Sequence, residues 1–194
     1  MRNGVIWMVV EEGLAPLTTR FTAMLDAADL SLLSPTGEVE CADVEGFSYA
    51  LPHETALECF RLGTPLNVFV WASDGTSMMI SLQHAPRGGE LFTLTGYLEG
   101  GPSARFLVAA QAYGEALCAA GNRCWFLLDD DGFSEGFDWK RFFEAPFAVS
   151  GMPPDIIAVP AEFEPLLRAW APSVHSKVIG PCVWKRYRDW PEET

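Results

Sequence analysis

Hydrophobic residues recur along this chain in two different periods, and the switches between them outline a fold. Residues 4–10 form a short apolar run that reads as a buried strand. Over residues 16–30 the spacing becomes helical, with Leu17, Phe21, Met24, Leu25 and Ala28 on one stripe and Pro16 suited to a first helical position. Ser34-Pro35-Thr36-Gly37 is a turn, and weak alternation over 38–44 predicts a short edge strand. Ala56, Leu57 and Phe60 place a second helix at 52–62, with Gly63 as its stop. Strands at 66–71, 76–84 and 90–98 follow, joined by Ser73-Asp74-Gly75 and by the Gly-containing stretch 85–89. Met78, Ile80 and Leu82 alternate with Ser77, Ser81 and Gln83, and Phe92 and Leu94 with Thr93 and Thr95. A meander with one dry and one wet face satisfies both patterns, and the wet face is a candidate binding surface.

Gly100-Gly101-Pro102-Ser103 opens a long helix over 103–120, striped by Phe106, Ala110, Tyr113 and Leu117, widened by Leu107 and Cys118, and ended by Gly121-Asn122. A buried strand at 123–128 runs into Asp129-Asp130-Asp131-Gly132. Beyond it Phe133, Phe137, Trp139, Phe142, Phe143 and Phe147 crowd together. A strand at 155–159, a proline-punctuated helix around 161–170 and a basic, aromatic tail at 183–190 complete the chain. The tail is expected to pack as an edge strand on the acidic body, its Lys and Arg stems covering apolar surface. The expected fold is α+β: an antiparallel sheet, with a central three-stranded meander plus further strands, and helices packed mainly on one face. Short connections and the absence of any repeat make 1–194 one domain, with 133–194 a wrapping segment or a small subdomain.

Charge adds a constraint that periodicity does not. The chain carries 26 acidic and 13 basic residues in 194, a formal net charge of -13. Residues 1–60 hold ten acids and two bases, 61–167 thirteen and six, and 168–194 three and five, so the C-terminal piece opposes the rest in sign. The balance repels polyanions, so nucleic acid is not an expected partner, although the Trp184–Trp190 mixture of bases and aromatics is of a kind that binds single strands. No apolar stretch approaches the ~20 residues that span a bilayer, and residues 5–10 are too short for the core of a signal peptide. Cys41, Cys59, Cys118, Cys124 and Cys182 are odd in number and follow no framework, which reads as reduced thiols in a cytoplasmic protein. No cofactor and no membrane association are expected.

Three adjacent carboxylates repel one another and need solvent, a cation or a basic partner. Asp129, Asp131, Gly132, Glu135 and Asp138 fall at calcium-loop positions 3, 5, 6, 9 and 12. Leu127 would occupy position 1 and cannot ligate, so the patch Asp129, Asp130, Asp131, Glu135 and Asp138, with Trp139 as an aromatic anchor, reads instead as a surface for a basic protein. The alternative is a metal-assisted hydrolase built on Asp129–Asp131. The Cys118–Cys124 spacing is wrong for a paired-cysteine zinc site. His53 suits a capping or surface role, and nothing recommends a Cys59–His84 or Cys182–His175 nucleophile pair. There is no GxSxG elbow, and the glycines at 100–101 lack the lysine and spacing of a phosphate loop.

The combination of length, acidity, a lone antiparallel sheet and missing catalytic motifs resembles bacterial toxin-immunity proteins. The resemblance implies a specific inhibitory complex in which acidic residues occupy or cap the cleft of a basic toxin. A homodimer through an exposed sheet edge is a further expectation.

Overall fold

The computed structural model describes residues 2–10, 17–43, 45–84, 90–96, 102–129, 153–167 and 173–187. Its strands are β1 (Arg2–Val10), β2 (Leu30–Ser31), β3 (Val39–Ala42), β4 (Ser48–Leu51), β5 (Leu66–Ala72), β6 (Ser77–His84), β7 (Glu90–Gly96), β8 (Cys124–Asp129), β9 (Ile156–Pro160), β10 (His175–Ile179) and β11 (Cys182–Arg186). They join one sheet in the order β10-β11-β9-β8-β1-β7-β6-β5-β3-β4, with β2 also on β5. Every pairing is antiparallel. The helices are α1 (Leu17–Ala27), α2 (His53–Arg61), α3 (Pro102–Ala119) and the one-turn α4 (Glu164–Leu167), which continues a 3-10 turn at Ala161–Phe163. The chain is an α+β protein, as its periodicity predicts.

The helical stripes meet where the sequence places them. Phe21 of α1 packs edge-on against Phe60 of α2 at 5.3 Å and against Phe106 of α3 at 6.1 Å, so three helices share one core over one sheet face. Met78, Ile80 and Leu82 turn into that core, while Ser77 is exposed and Ser81 half-buried, bonding Asn67 Oδ1 at 2.6 Å. Helix α3 lies close to the sheet because Gly114 has no side chain. A Cβ there would sit 3.0 Å from the rings of Phe126 and Trp184, which stack at 5.0 Å.

At the β8–β9–β11 end the second face is buried as well. Leu127, Ile157, Val159 and Val183 lie on it, and alternation points them away from α3. The 3-10 turn and α4 cover part of this face. Phe163 stacks on Trp125 at 5.0 Å, Glu162 pairs with Arg123, and Glu164 holds Lys185 at 2.8 Å.

Two expectations are corrected. The basic tail is not an edge strand: β11 lies inside the sheet between β9 and β10, and β10 is the edge. Likewise β3 is not an edge, because β4 pairs outside it through Val39↔Leu51 to Ala42↔Ser48. Both true edges, β4 and β10, are exposed on both faces and therefore lack the alternation that marks a strand. The helix expected around 161–170 is a 3-10 turn plus a single α-turn over its described part.

Candidate functional site: an acidic sheet end

Asp129 closes β8 opposite Val5. Its side chain, together with Asp130, Asp131, Glu135, Asp138 and Trp139, lies outside the described residues. The described acid excess gathers elsewhere. Residues 17–84 carry Asp26, Asp29, Glu38, Glu40, Asp43, Glu45, Glu54, Glu58 and Asp74 against Arg20 and Arg61, nine minus two. Residues 102–194 are more evenly balanced, with thirteen acids against nine bases. Sheet order gives the first of these segments a place, since β2 to β6, α1 and α2 occupy the end of the sheet that finishes in β4.

The β3–β4 hairpin is the tip of that end. Asp43 builds its turn: one carboxylate oxygen accepts the N–H groups of Glu45 at 3.0 Å and Phe47 at 2.8 Å, and the Asp43 N–H donates to the Phe47 carbonyl at 3.0 Å. Gly46 supplies the left-handed step at φ 89°. With its turn closed internally, the hairpin projects Glu45 and Phe47 outward. Phe47 is 71% exposed and Tyr49 also stands in solvent. The tip therefore presents two exposed aromatic rings close to the Glu45 carboxylate in sequence.

Helix α2 follows directly. Its Ala56 and Phe60 are buried, and Glu54 and Glu58 face solvent. Glu58 receives two bonds from Arg61, at 2.7 and 2.5 Å, which lower its pKa and raise that of Arg61. His53 begins α2 but does not cap it, as Pro52 is the N-cap and no side-chain cap bond forms. Its role is at the surface.

Two concavities extend the acidic end toward the other side of β2. One, of about 590 Å³, is lined by Asp29, Ser31, Trp71 and Asp74 among others. The other, of about 340 Å³, lies between α1 and α2 and includes Asp26, Leu33, His53 and Leu57. Arg105 reaches Asp29 at 3.7 Å. The Asp74 carboxyl is held below its usual range by hydrogen bonds from the Thr76 hydroxyl and N–H.

The thiols do no visible chemistry. All five cysteines are free, and Cys41, Cys118, Cys124 and Cys182 are buried. Burial pushes Cys41 and Cys182 up to about 11. The hydrogen bond to Cys124, then burial, drives Cys118 further still in the same direction. These groups are neutral thiols, not thiolate nucleophiles. Cys182 sits opposite Ile179 at one end of the β10–β11 hairpin and His175 opposite Arg186 at the other. Four strand residues, roughly 13 Å, separate the two positions, so they form no catalytic pair. The His84 side chain lies outside the described residues. Among the described residues no group of three or more His, Cys, Asp or Glu side chains is arranged to hold a metal ion, and no helix is long and apolar enough to cross a membrane.

Sequence reasoning recorded the acidity of residues 1–60 but missed the hairpin that focuses it. The available signal was Asp43-Val44-Glu45-Gly46-Phe47, a turn-forming Asp and Gly flanking an acid and followed by an aromatic residue. Comparison with protein-family models, with curated proteins and with solved structures finds no match to this chain.

Proposed function

We propose that this chain is a protein-binding domain of the immunity type, which neutralises a basic protein by docking its acidic sheet end into that protein's cleft. The observation that carries the reading is the acid excess of the segment that builds this end of the sheet, nine acids against two bases over residues 17–84, where residues 102–194 hold thirteen against nine. A field this one-sided steers a basic partner and raises its on-rate by roughly 10–10³-fold at low salt. Phe47 at the hairpin tip provides the apolar contact that steering alone lacks. The carboxylates Asp129, Asp130, Asp131, Glu135 and Asp138, with Trp139, remain part of the proposal as a second acidic contact.

The test is affinity capture from the native cell followed by kinetics with the captured protein. A basic protein is expected, whose association slows at least about tenfold between low and high salt. Glu45→Lys with Glu54→Lys should slow association further, whereas Phe47→Ala should act mainly on dissociation. A partner whose on-rate responds neither to salt nor to these changes overturns the reading.

A further inference from the structure

On its acidic side the sheet ends in a strand whose outer backbone is open. Strand β4 pairs with β3 through Val39↔Leu51, Glu40↔Ala50, Cys41↔Tyr49 and Ala42↔Ser48. The next pair toward the turn, Asp43 and Phe47, is closed by the Asp43 N–H at 3.0 Å. Hydrogen-bonded pairs alternate along an antiparallel ladder, so Tyr49 and Leu51 bond to β3, while Ser48 and Ala50 turn their N–H and C=O groups outward. Among the described residues nothing meets those outward groups, and Ser48, Tyr49 and Ala50 are exposed. Pro52 has no N–H and its carbonyl accepts the Ala56 N–H at 3.1 Å, so the open row stops there. Sheet edges are commonly guarded by a lysine or a proline. The opposite edge, β10, carries Lys177 at its centre, whereas Ser48-Tyr49-Ala50-Leu51 carries neither.

We propose that the β4 edge takes up an extended segment of the basic partner as a further strand, one in which basic and apolar residues alternate. Strand addition here deepens the acidic-end reading, on which it rests. The two faces of β4 set the alternation. Tyr49 lies opposite Cys41, a core residue on the helix side, and the partly buried Leu51 shares that side. An incoming apolar side chain packs beside them as a cross-strand neighbour. Ser48 and Ala50 occupy the other face and are small. Neighbouring strands lie about 4.8 Å apart, so a lysine or arginine on the added strand passes over the Ala50 methyl and reaches Glu40 on β3. Glu40 is partly buried and among the described residues has no ion-pair partner. Glu45 at the adjoining turn and Glu54 in the first turn of α2 extend the same sign. Charge selects against a second copy in the same place, because two such ends, each with nine acids against two bases over residues 17–84, repel. Main-chain bonds supply the affinity of an added strand, and side chains alternating between its faces supply the specificity.

The probes are two short peptides offered to the full chain, one alternating lysine and valine and one with the same residues in separate blocks. Binding is read at the Ser48 and Ala50 amide resonances in a proton–nitrogen correlation spectrum. The alternating peptide should shift both saturably at about millimolar concentration or below, and the block peptide should bind at least about fivefold more weakly. Ala50→Pro removes one outward N–H and no β3–β4 bond, a change an open edge tolerates. Read at Ser48, it should weaken the alternating peptide about tenfold, and Glu40→Gln should weaken it by a smaller factor, with unfolding midpoints confirming that both variants fold. In the free chain the Ser48 and Ala50 amides should exchange with solvent faster than those of Tyr49 and Leu51. Slow exchange at all four overturns the proposal, as does protection that grows with protein concentration, which assigns the edge to a second copy. Equal binding of the two peptides, or binding unchanged in Ala50→Pro, overturns it too. Failure of strand addition is distinguishable from failure of the wider reading. A β4 edge indifferent to the peptides, in a chain that still captures a salt-sensitive basic protein, removes strand addition alone. Peptide binding at β4 without any such protein removes the immunity-type reading alone.

Discussion

Replacing Gly180 by alanine tests how the β10–β11 hairpin is held on α3. Gly180 lies between the two strands at φ 53°, and a Cβ built there would overlap the carbonyl oxygen of Cys118 and lie 3.0 Å from its carbonyl carbon. The obstacle is backbone in the last turn of α3, and that same oxygen already accepts the Gly121 N–H at 2.9 Å. It cannot swing away as a side chain would. Left-handed backbone costs an alanine about 1 kcal/mol, partly offset by the lower entropy of its unfolded chain. Relieving the overlap requires the hairpin to retreat by about an ångström, loosening Cys182 and Trp184 from α3, a change in the overpacking class of about 1–3 kcal/mol. The expected total is about 2–4 kcal/mol, or a melting temperature lower by about 4–16 °C for a chain of this length. Gly37→Ala is the control. Its φ is 86° and nothing lies within 4 Å of the added methyl, so it should lose only the conformational part, about 1 kcal/mol. Urea unfolding followed by circular dichroism, with slopes compared to exclude denatured-state effects, measures both. If Gly180→Ala costs no more than Gly37→Ala, the close approach of the hairpin to α3 is wrong.

Gly114→Ala should be destabilising by about 1–2 kcal/mol although alanine is the better helix former, because Phe126 and Trp184 are buried against the added methyl; a stabilised variant in the same urea assay would mean the rings have room to move. Phe21→Ala removes the ring that touches both Phe60 and Phe106 and should cost about 3–5 kcal/mol, whereas Phe47→Ala at the exposed tip should change stability by less than about 0.5 kcal/mol. Burial, then the nearby Glu164 carboxylate, raises Tyr187 from 10 to about 12. The unfolded state therefore loses this proton first, and stability present below pH 10 declines as pH rises toward 12, by up to about 2–3 kcal/mol. Tyr187→Phe should flatten the fall in melting temperature between pH 10 and 12, and an unchanged slope would remove the group from the account.

The helices and the meander were legible because each has one dry side. The stripe Phe21, Met24, Leu25 and the alternation Met78, Ile80, Leu82 both report a buried face directly, and those residues are buried. The edge strands were not legible for the converse reason. Ser48–Leu51 and His175–Ile179 face solvent on both sides, so no periodicity is imposed on them, and they are strands only because β3 and β11 offer free backbone groups. Position in the sheet was also hidden. Nothing local to Val183 or Trp184 distinguishes an inner strand from an edge. For the candidate site, sequence carried the amount of charge over residues 1–60 but not its convergence. Glu45 and Phe47 become a projecting tip only once Asp43 closes the turn, and Asp29 meets Asp74 only because β2 pairs with β5.

The place of β1 bears on how the protein is made. Strand β1 is an interior one, paired on one side with β7 through Arg2↔Gly96 and on the other with β8 through Val5↔Asp129. Neither neighbour exists when β1 leaves the ribosome. At about 5–20 residues per second, β1 waits roughly 6–24 s before residue 129 has been added and its second ladder can close. Such distant pairing slows folding through its loop-closure cost. The apolar nascent strand has no hydrogen-bonding partner until β7 has been added and keeps one open edge until β8 follows, and in that time chaperone capture or self-association there would compete with folding.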